Sequence, residues 1–239
     1  MDGPSRGRIT SGIEPNTLLT RTTEFVYRQL ADWRDDPQRP EESAEEKLNA
    51  QLCKFLNSRS RQSLKMAYFF HEERQTGTRR VDMSALAADG AVIGSTYFSH
   101  YDPFLVLEGK RLPAPAGDPT REREYLTGGS KKSGGVQRFR LGLHGAALPR
   151  AIMIGYVQEG QSREWFDRIN GWLDDLVAAG EVDGESWAAA EQLRDFAEAR
   201  AKSVARSASQ HPRQGDVASP RIDLDHFWVR MARKGTVAN

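Results

Sequence analysis

The chain has 239 residues, of which 38% are hydrophobic, 28% charged and 9% aromatic. This composition supplies enough apolar side chains for a folded core and excludes a collagen-like, rod-like or wholly disordered chain. The 34 basic and 33 acidic residues leave a net charge of +1, which excludes strong nonspecific binding of nucleic acid through overall charge. The single cysteine, Cys53, cannot form an internal disulfide or a cysteine zinc site.

Neither a membrane span nor a secretory signal is visible in the sequence. The longest apolar segment, AIMIGYV at 151–157, is far shorter than the roughly 20 residues of a membrane helix. The N-terminal MDGPSRGRIT lacks the hydrophobic region of a signal peptide. We therefore expect a cytoplasmic protein that does not enter a membrane.

Basic residues are concentrated in two segments that contain no acidic residue, 125–158 and 199–215. Such local concentration is equally consistent with two interpretations. It can be ordinary solvated surface, or it can form a basic face for a phosphate backbone.

The N-terminal part of the chain predicts a tail followed by two helices. Residues 1–16 have the composition of a flexible tail. Apolar residues recur at helical spacing over 18–34, and 34–43 has the composition of a linker. Ser43, with Glu46 three residues later, predicts a capping box at the start of the second helix.

The central part predicts strands in a meander and then a helix. Three strands are expected at 65–73, 79–87 and 103–112, the last of which contains a continuous apolar run typical of a strand buried on both faces. A short helix is expected after Asp118. A Gly- and Lys-rich loop at 128–135 then leads to residues that predict a helix over 136–143 and a strand over 151–158.

The C-terminal part predicts one strongly amphipathic helix. Ser162 is expected to cap it and Gly180 to end it. Its apolar stripe, which predicts either core or a partner surface, contains Trp165, Phe166, Ile169, Trp172, Leu173, Leu176 and Val177. A second helix over 184–205, a mobile polar segment over 206–220 and a last strand over 222–231 are expected to follow.

This order of elements predicts one α/β domain over 17–239 with a mixed central sheet flanked by helices. The core is expected at about 44–158, and the C-terminal helices and last strand at 162–231. Several catalytic motifs are excluded. His71-Glu72-Glu73-Arg74-Gln75 lacks the second histidine of a zinc-protease helix, and GGSKKSGG lacks the ending of a P-loop. Neither a G-x-S-x-G nor a G-x-G-x-x-G follows a predicted strand.

One group of polar residues on two predicted strands remains. Asp82 lies inside the second strand, and Glu108-Gly109-Lys110 ends the third. The period of two places Glu108 and Lys110 on one face, about 6.6 Å apart along the strand. Charges beside so apolar a run are costly unless they are paired or bind something. Carboxylates on adjacent strands form an all-oxygen site suited to Mg²⁺, and a lysine can orient or help deprotonate a water. Asp82 at a strand end and an exposed Glu108–Lys110 ion pair remain simpler readings.

This pattern resembles the PD-(D/E)xK nuclease superfamily, whose fold is restriction-endonuclease-like. The motif here is Val81-Asp82, then 25 residues, then Glu108-Gly109-Lys110, with a leading helix before the meander and a helix and strand after it. The resemblance covers about residues 44–158. Val81 stands where the family usually has proline, so one supporting feature is missing.

The resemblance implies a role for each residue of the motif. Asp82 and Glu108 would bind Mg²⁺, for which Mn²⁺ can substitute, with the Gly109 carbonyl as a further ligand. Lys110 would assist the attacking water. A carboxylate on the leading helix would complete the site, and Glu45 is the choice because its spacing from the apolar stripe turns it toward the core.

Four polar residues after the E-x-K strand would contact the substrate, namely Lys131, Lys132, Gln137 and Arg138. It is equally consistent with the sequence that these four are polar residues on an ordinary protein surface. His100, His144 and His226 are expected to be core or surface histidines, and His226 to form hydrogen bonds within the fold.

The resemblance implies a metal-dependent endonuclease that hydrolyses phosphodiester bonds, with DNA favoured over RNA. Specificity would come from a protein partner, as in small nucleases that act as effectors of bacterial anti-phage defence systems. A non-catalytic interaction subunit that uses the aromatic helix over 162–179 is the alternative. An RNA-specific toxin with the same metal chemistry is a third hypothesis.

Overall fold

The computed structural model describes residues 17–75, 79–115, 121–214 and 217–232. The predicted tail over 1–16 lies outside this part of the chain. Among the described residues, no helix is both long enough and apolar enough to cross a membrane.

A seven-stranded mixed sheet forms the centre of the protein, with the order β1-β2-β5-β6-β9-β8-β7. Its strands are β1 (Ala67–Arg74), β2 (Arg80–Ala87), β5 (Pro103–Leu112), β6 (Arg150–Val157), β7 (Arg194–Ala199), β8 (Val204–Pro212) and β9 (Arg221–Arg230). The β5–β6 and β6–β9 pairs are parallel and the other pairs are antiparallel. A separate hairpin connects β2 to β5 and consists of β3 (Ala91–Ile93) and β4 (Thr96–Phe98).

Helices cover both faces of this sheet. The longer ones are α1 (Thr17–Asp35), α2 (Glu45–Ser63) and α4 (Ser162–Ala179), and α3 (Gly135–Arg140) is a short helix before β6. Tyr27 of α1 packs on Phe227 of β9 with ring centroids 5.1 Å apart, whereas Phe166 of α4 packs on the next residue of β9, Trp228. Successive strand residues face opposite sides, so α1 and α4 lie on opposite faces.

The mixed α/β architecture predicted from the sequence is confirmed, with α1, β1, β2, β5, β6, α4 and β9 within two residues of their predicted bounds. The apolar stripe of α4 is core, because Trp165, Ile169, Trp172 and Leu173 are buried. The Gly- and Lys-rich loop contains a single 3₁₀ turn at Gly129–Lys131.

The prediction of a helix over 184–205 is wrong, and so is that of a mobile segment for residues 206–212. The first region contains two 3₁₀ turns and the edge strand β7, and residues 206–212 belong to β8, which pairs with β9 along its whole length. Residues 215 and 216 of the predicted segment lie outside the described part of the chain. Helix propensity, even that of alanine and glutamate, is a weak preference, and pairing with a strand overrides it.

Several helix ends also differ from the prediction. No capping box forms at Ser43, because Glu42 Oε1 accepts hydrogen bonds from the backbone N–H groups of Ser43 and Ala44 and the helix begins at Glu45. α4 begins at Ser162 itself, so its cap is Gln161. The helix predicted over 136–143 ends at Arg140. Of the short helix expected after Asp118, the first residues lie outside the described part and 121–126 form turns.

A buried polar network holds α3 against the sheet. Arg140, the last residue of α3, forms ion pairs of 3.3 Å with Glu185 and 2.7 Å with Glu191. From Glu191 the contacts continue, each 2.7 or 2.8 Å long, through His211, Ser209, His226 and Tyr125. The expected role of His226 in internal hydrogen bonding is confirmed. Burial lowers the pKa of His211 and of His226, so both histidines are neutral members of the network.

Replacing Arg140 with methionine would leave Glu185 and Glu191 buried without their shared cation. Breaking a buried pair in this way costs about 3–5 kcal/mol, so Arg140→Met is expected to lower the free energy of unfolding by that amount in urea titrations. Arg123→Met is the control, because Arg123 pairs with an exposed carboxylate, Asp175, and its loss costs less than about 1 kcal/mol. Equal losses in the two variants would contradict the importance of the network.

Candidate active site

The predicted strand residues lie together at the end of β2 and β5. The β2–β5 ladder ends at the pair of Met83 and Leu107, and the next residue of each strand, Asp82 and Glu108, therefore lies on the face opposite to that pair. Lys110, two residues along β5, shares that face, and its Nζ lies 3.1 Å from Glu108 Oε1. The structure therefore brings together the residues that the spacing predicts to be close.

Glu45 joins this group from the first turn of α2. Its Oε1 accepts a hydrogen bond of 2.9 Å from Lys110 Nζ, and its Oε2 accepts one of 2.9 Å from the backbone N–H of Arg111. Glu46 is exposed. Between the two adjacent glutamates, the one chosen from the sequence is the one that reaches the strand residues.

Two further basic side chains contact Glu108 from the segment after β5. Arg138 of α3 donates a hydrogen bond of 3.0 Å to Glu108 Oε1. His144, in the loop after α3, has its Nδ1 3.3 Å from Glu108 Oε2, and both of these side chains are only 1% exposed. Arg138 lies on the helix after β5, as the sequence predicts, whereas His144 was expected to be an ordinary core or surface histidine. No motif marks His144, because a loop that follows a short helix can bring any of its residues to the strand.

Burial and mutual charge set the protonation of the cluster. Burial raises the pKa of Asp82 to about 8, and the negative charge of Glu108 adds to this effect. Burial alone would also raise the pKa of Glu108, but Lys110, His144 and Arg138 together hold that pKa below its ordinary range. Burial would lower the pKa of Lys110, yet the carboxylates of Glu108, Glu45 and Asp82 hold it above its ordinary value. Lys110 is therefore a fixed cation.

The backbone of β5 turns away from the regular ladder beside Asp82. The Gly109 N–H donates a hydrogen bond of 2.8 Å to Asp82 Oδ2 instead of to the β2 backbone. This hydrogen bond fixes the end of β5 beside the Asp82 carboxylate.

The oxygen atoms at this end of the sheet fit a hard divalent cation such as Mg²⁺. Asp82 is partly exposed, and Glu108 Oε2 is buried beside His144 Nδ1, at 3.3 Å, without a hydrogen bond to a described residue. A cation between the two carboxylates would remove the repulsion that raises the pKa of Asp82. The described residues contain no group of three or more His, Cys, Asp or Glu side chains placed to hold a metal ion.

The other predicted substrate-binding residues are not part of this cluster. Gln137 is buried, and its amide is fully used by contacts within the chain, which are the N–H groups of Gly128 and Gly134, the carbonyl of Gly129 and the carboxylate of Glu185. It is therefore not available to a phosphate. Lys131 and Lys132 are exposed before α3, and neither forms an ion pair with a described residue.

Gly109 lies against a buried pair on the opposite face of β5. Asn49, one turn after Glu45 on α2, accepts a hydrogen bond of 2.7 Å from the Tyr156 hydroxyl. A Cβ atom on residue 109 would lie 2.1 Å from Asn49 Oδ1 and 2.8 Å from a Tyr156 ring carbon. The glycine between Glu108 and Lys110 thus lets α2 approach β5 closely enough for Glu45 to reach Lys110.

Comparisons of the chain with protein-family models, with curated proteins and with solved structures found no match. The functional interpretation therefore depends on the geometry of these residues and on the resemblance of their motif.

Gly109→Ala is expected to destabilise the protein by about 1–3 kcal/mol, because the added methyl group collides with Asn49 and Tyr156 and separates α2 from β5. Urea unfolding measures the loss. Gly171→Ala is the matched control, since nothing lies within 4 Å of a Cβ at this position in α4 and alanine favours a helix by up to about 1 kcal/mol. A Gly109→Ala variant as stable as the unmodified protein would refute this packing.

Proposed function

We propose that the protein is a metal-dependent endonuclease that hydrolyses phosphodiester bonds, with DNA favoured over RNA as its substrate. The observation that carries the proposal is the convergence of Asp82, Glu108 and Lys110 from adjacent strands with Glu45 from α2. Carboxylates with a lysine cation at one partly exposed end of a sheet are suited to a negatively charged phosphate group.

Lys110 acts in this proposal as a cation and not as a base. The three surrounding carboxylates hold the pKa of Lys110 above its ordinary value, so its Nζ keeps its proton at neutral pH. Its ammonium group has three N–H donors; with two directed at Glu45 and Glu108, the third can orient a water, and the positive charge can stabilise negative charge on the phosphate oxygens. Glu45 and Glu108 fix the position of the ammonium group through contacts of 2.9 and 3.1 Å.

Asp82, Glu108 and the Gly109 carbonyl would hold the divalent cation. When bound, the cation supplies a Lewis acid that polarises the phosphate and lowers the pKa of a coordinated water. Arg138 contacts Glu108 and is 28% exposed. Its guanidinium group can therefore also reach an oxygen of a bound phosphate.

We also propose that the core of the protein has a restriction-endonuclease-like fold. The order of α2, the β1-β2-β5 meander, α3 and the parallel strand β6 supports it. A protein partner that supplies specificity, within a multi-subunit anti-phage defence system, remains a proposal that comes from the family resemblance alone.

A non-catalytic interaction subunit is the competing proposal, and one observation favours it. Lys110 and Arg138 already neutralise Glu45 and Glu108 without a metal ion, so the cluster can serve as a purely structural ion-pair network. The aromatic helix does not support this alternative, because Trp165 and Trp172 are 5% and 6% exposed and pack in the core.

Cleavage of plasmid DNA and of RNA, with and without Mg²⁺ or Mn²⁺, tests the proposal. Asp82→Asn is expected to lower the rate at least about 100-fold because the variant loses a metal ligand. Lys110→Met is expected to lower it by a similar factor, since removing one charge-stabilising group costs about 10²–10³ in rate.

Lys54→Met is the control for loss of a lysine, because Lys54 is exposed on α2 and its loss should leave the rate unchanged. Absence of metal-dependent cleavage by the unmodified protein on either substrate would favour the non-catalytic subunit. Cleavage that survives both site variants would show that the activity resides elsewhere.

A further inference from the structure

Exposed aromatic side chains lead away from the carboxylates along the edge strand β1. Phe70 is 53% exposed and Tyr101, in the loop before β5, is 79% exposed. Tyr68 lies two residues before Phe70 on the same strand face, and its hydroxyl donates a hydrogen bond of 2.6 Å to the carbonyl of His100. The rings of His100 and Tyr101 are 4.0 Å apart. We call Tyr68, Phe70, His100 and Tyr101 the aromatic ledge.

The aromatic ledge is continuous with the candidate active site. Phe70 is the register partner of Ser84, and Asp82 is two residues from Ser84 on the same face of β2. Phe70 and Asp82 are therefore diagonal neighbours, about 7–8 Å apart between Cα atoms. A base attached to a phosphate near Asp82 is within reach of the Phe70 ring.

Positive charge borders the other side of Asp82. Arg74 at the end of β1 and Arg80 at the start of β2 are register partners, and Arg79 directly precedes Arg80 on the chain. All three are exposed. Arg80 pairs with Glu72, whereas Arg74 and Arg79 form no ion pair with a described residue. A polyanion that crosses Asp82 would thus find arginines on one side and aromatic rings on the other.

We propose that the aromatic ledge stacks unpaired bases of single-stranded nucleic acid whose phosphates enter the carboxylate cluster. This inference rests on the proposed nuclease function and specifies its substrate. Exposed rings can stack on any unpaired base, because every base has a π-face. Bases inside a duplex are already stacked on each other, so they cannot use such a surface without leaving the helix.

Binding of DNA to the full chain carrying Asp82→Asn tests the ledge without cleavage. The probe is a short single-stranded DNA with 2-aminopurine, whose fluorescence falls when it stacks on an aromatic ring. Phe70→Leu is expected to weaken binding of this strand about 5- to 100-fold and to restore the fluorescence. Phe70→Trp is expected to retain tight binding and the low fluorescence of the stacked probe. Neither substitution should change the binding of the same sequence as a blunt duplex.

Tyr97→Leu is the matched control, because Tyr97 is an aromatic side chain with 65% exposure on the hairpin that contacts α1, on the opposite side of the sheet. If Phe70→Leu binds the single strand as tightly as the chain that retains Phe70, the proposed role of the aromatic ledge is refuted, even if the protein cleaves DNA. If stacking depends on Phe70 but the unmodified protein shows no metal-dependent cleavage, the proposed base stacking is supported and the proposed nuclease function is refuted. Loss of a dimer in Phe70→Leu, with DNA binding unchanged, would assign this edge to a second copy of the chain.

Discussion

The buried ammonium group of Lys110 is the charge on which the arrangement of the candidate site depends. Its side chain is 7% exposed, and a cation at that depth is tolerated only where carboxylates surround it. Glu108 comes from the same strand face and Glu45 from α2, and both form ion pairs with Lys110. The need to pair one lysine therefore holds the start of a helix against the end of β5, beside Asp82 of β2, which accepts a hydrogen bond from the Gly109 N–H.

The site also depends on groups on the far side of α3. α3 has six residues, too few to form a stable helix by itself. Arg140 anchors it in a buried network with Glu185 and Glu191, while Arg138, two residues earlier, contacts Glu108. Polar groups that never approach the carboxylates thus decide whether Arg138 can reach them.

The sequence was sufficient to predict the strands and helices whose buried faces are apolar, and with them the placement of Asp82 beside the segment Glu108-Gly109-Lys110. It was insufficient where the buried face is polar. In β8 the buried side chains Ser207, Ser209 and His211 alternate with more exposed residues, and hydrogen bonds, not hydrophobicity, keep Ser209 and His211 inside. A sequence with serine and histidine at alternate positions has the low hydrophobicity of a solvated loop, so it does not reveal a buried strand. His144 was missed because its contact with Glu108 is made by a loop.

A crystal structure of the unmodified protein grown with Mn²⁺ would show whether the cluster holds a divalent cation, because anomalous scattering locates the ion without assumptions about activity. We expect a manganese peak within bonding distance of Asp82 and Glu108, with the Gly109 carbonyl as a third protein ligand and Lys110 beside it. Carboxylates that keep only their contacts with Lys110 and Arg138 at saturating Mn²⁺, with no peak between them, would contradict this expectation.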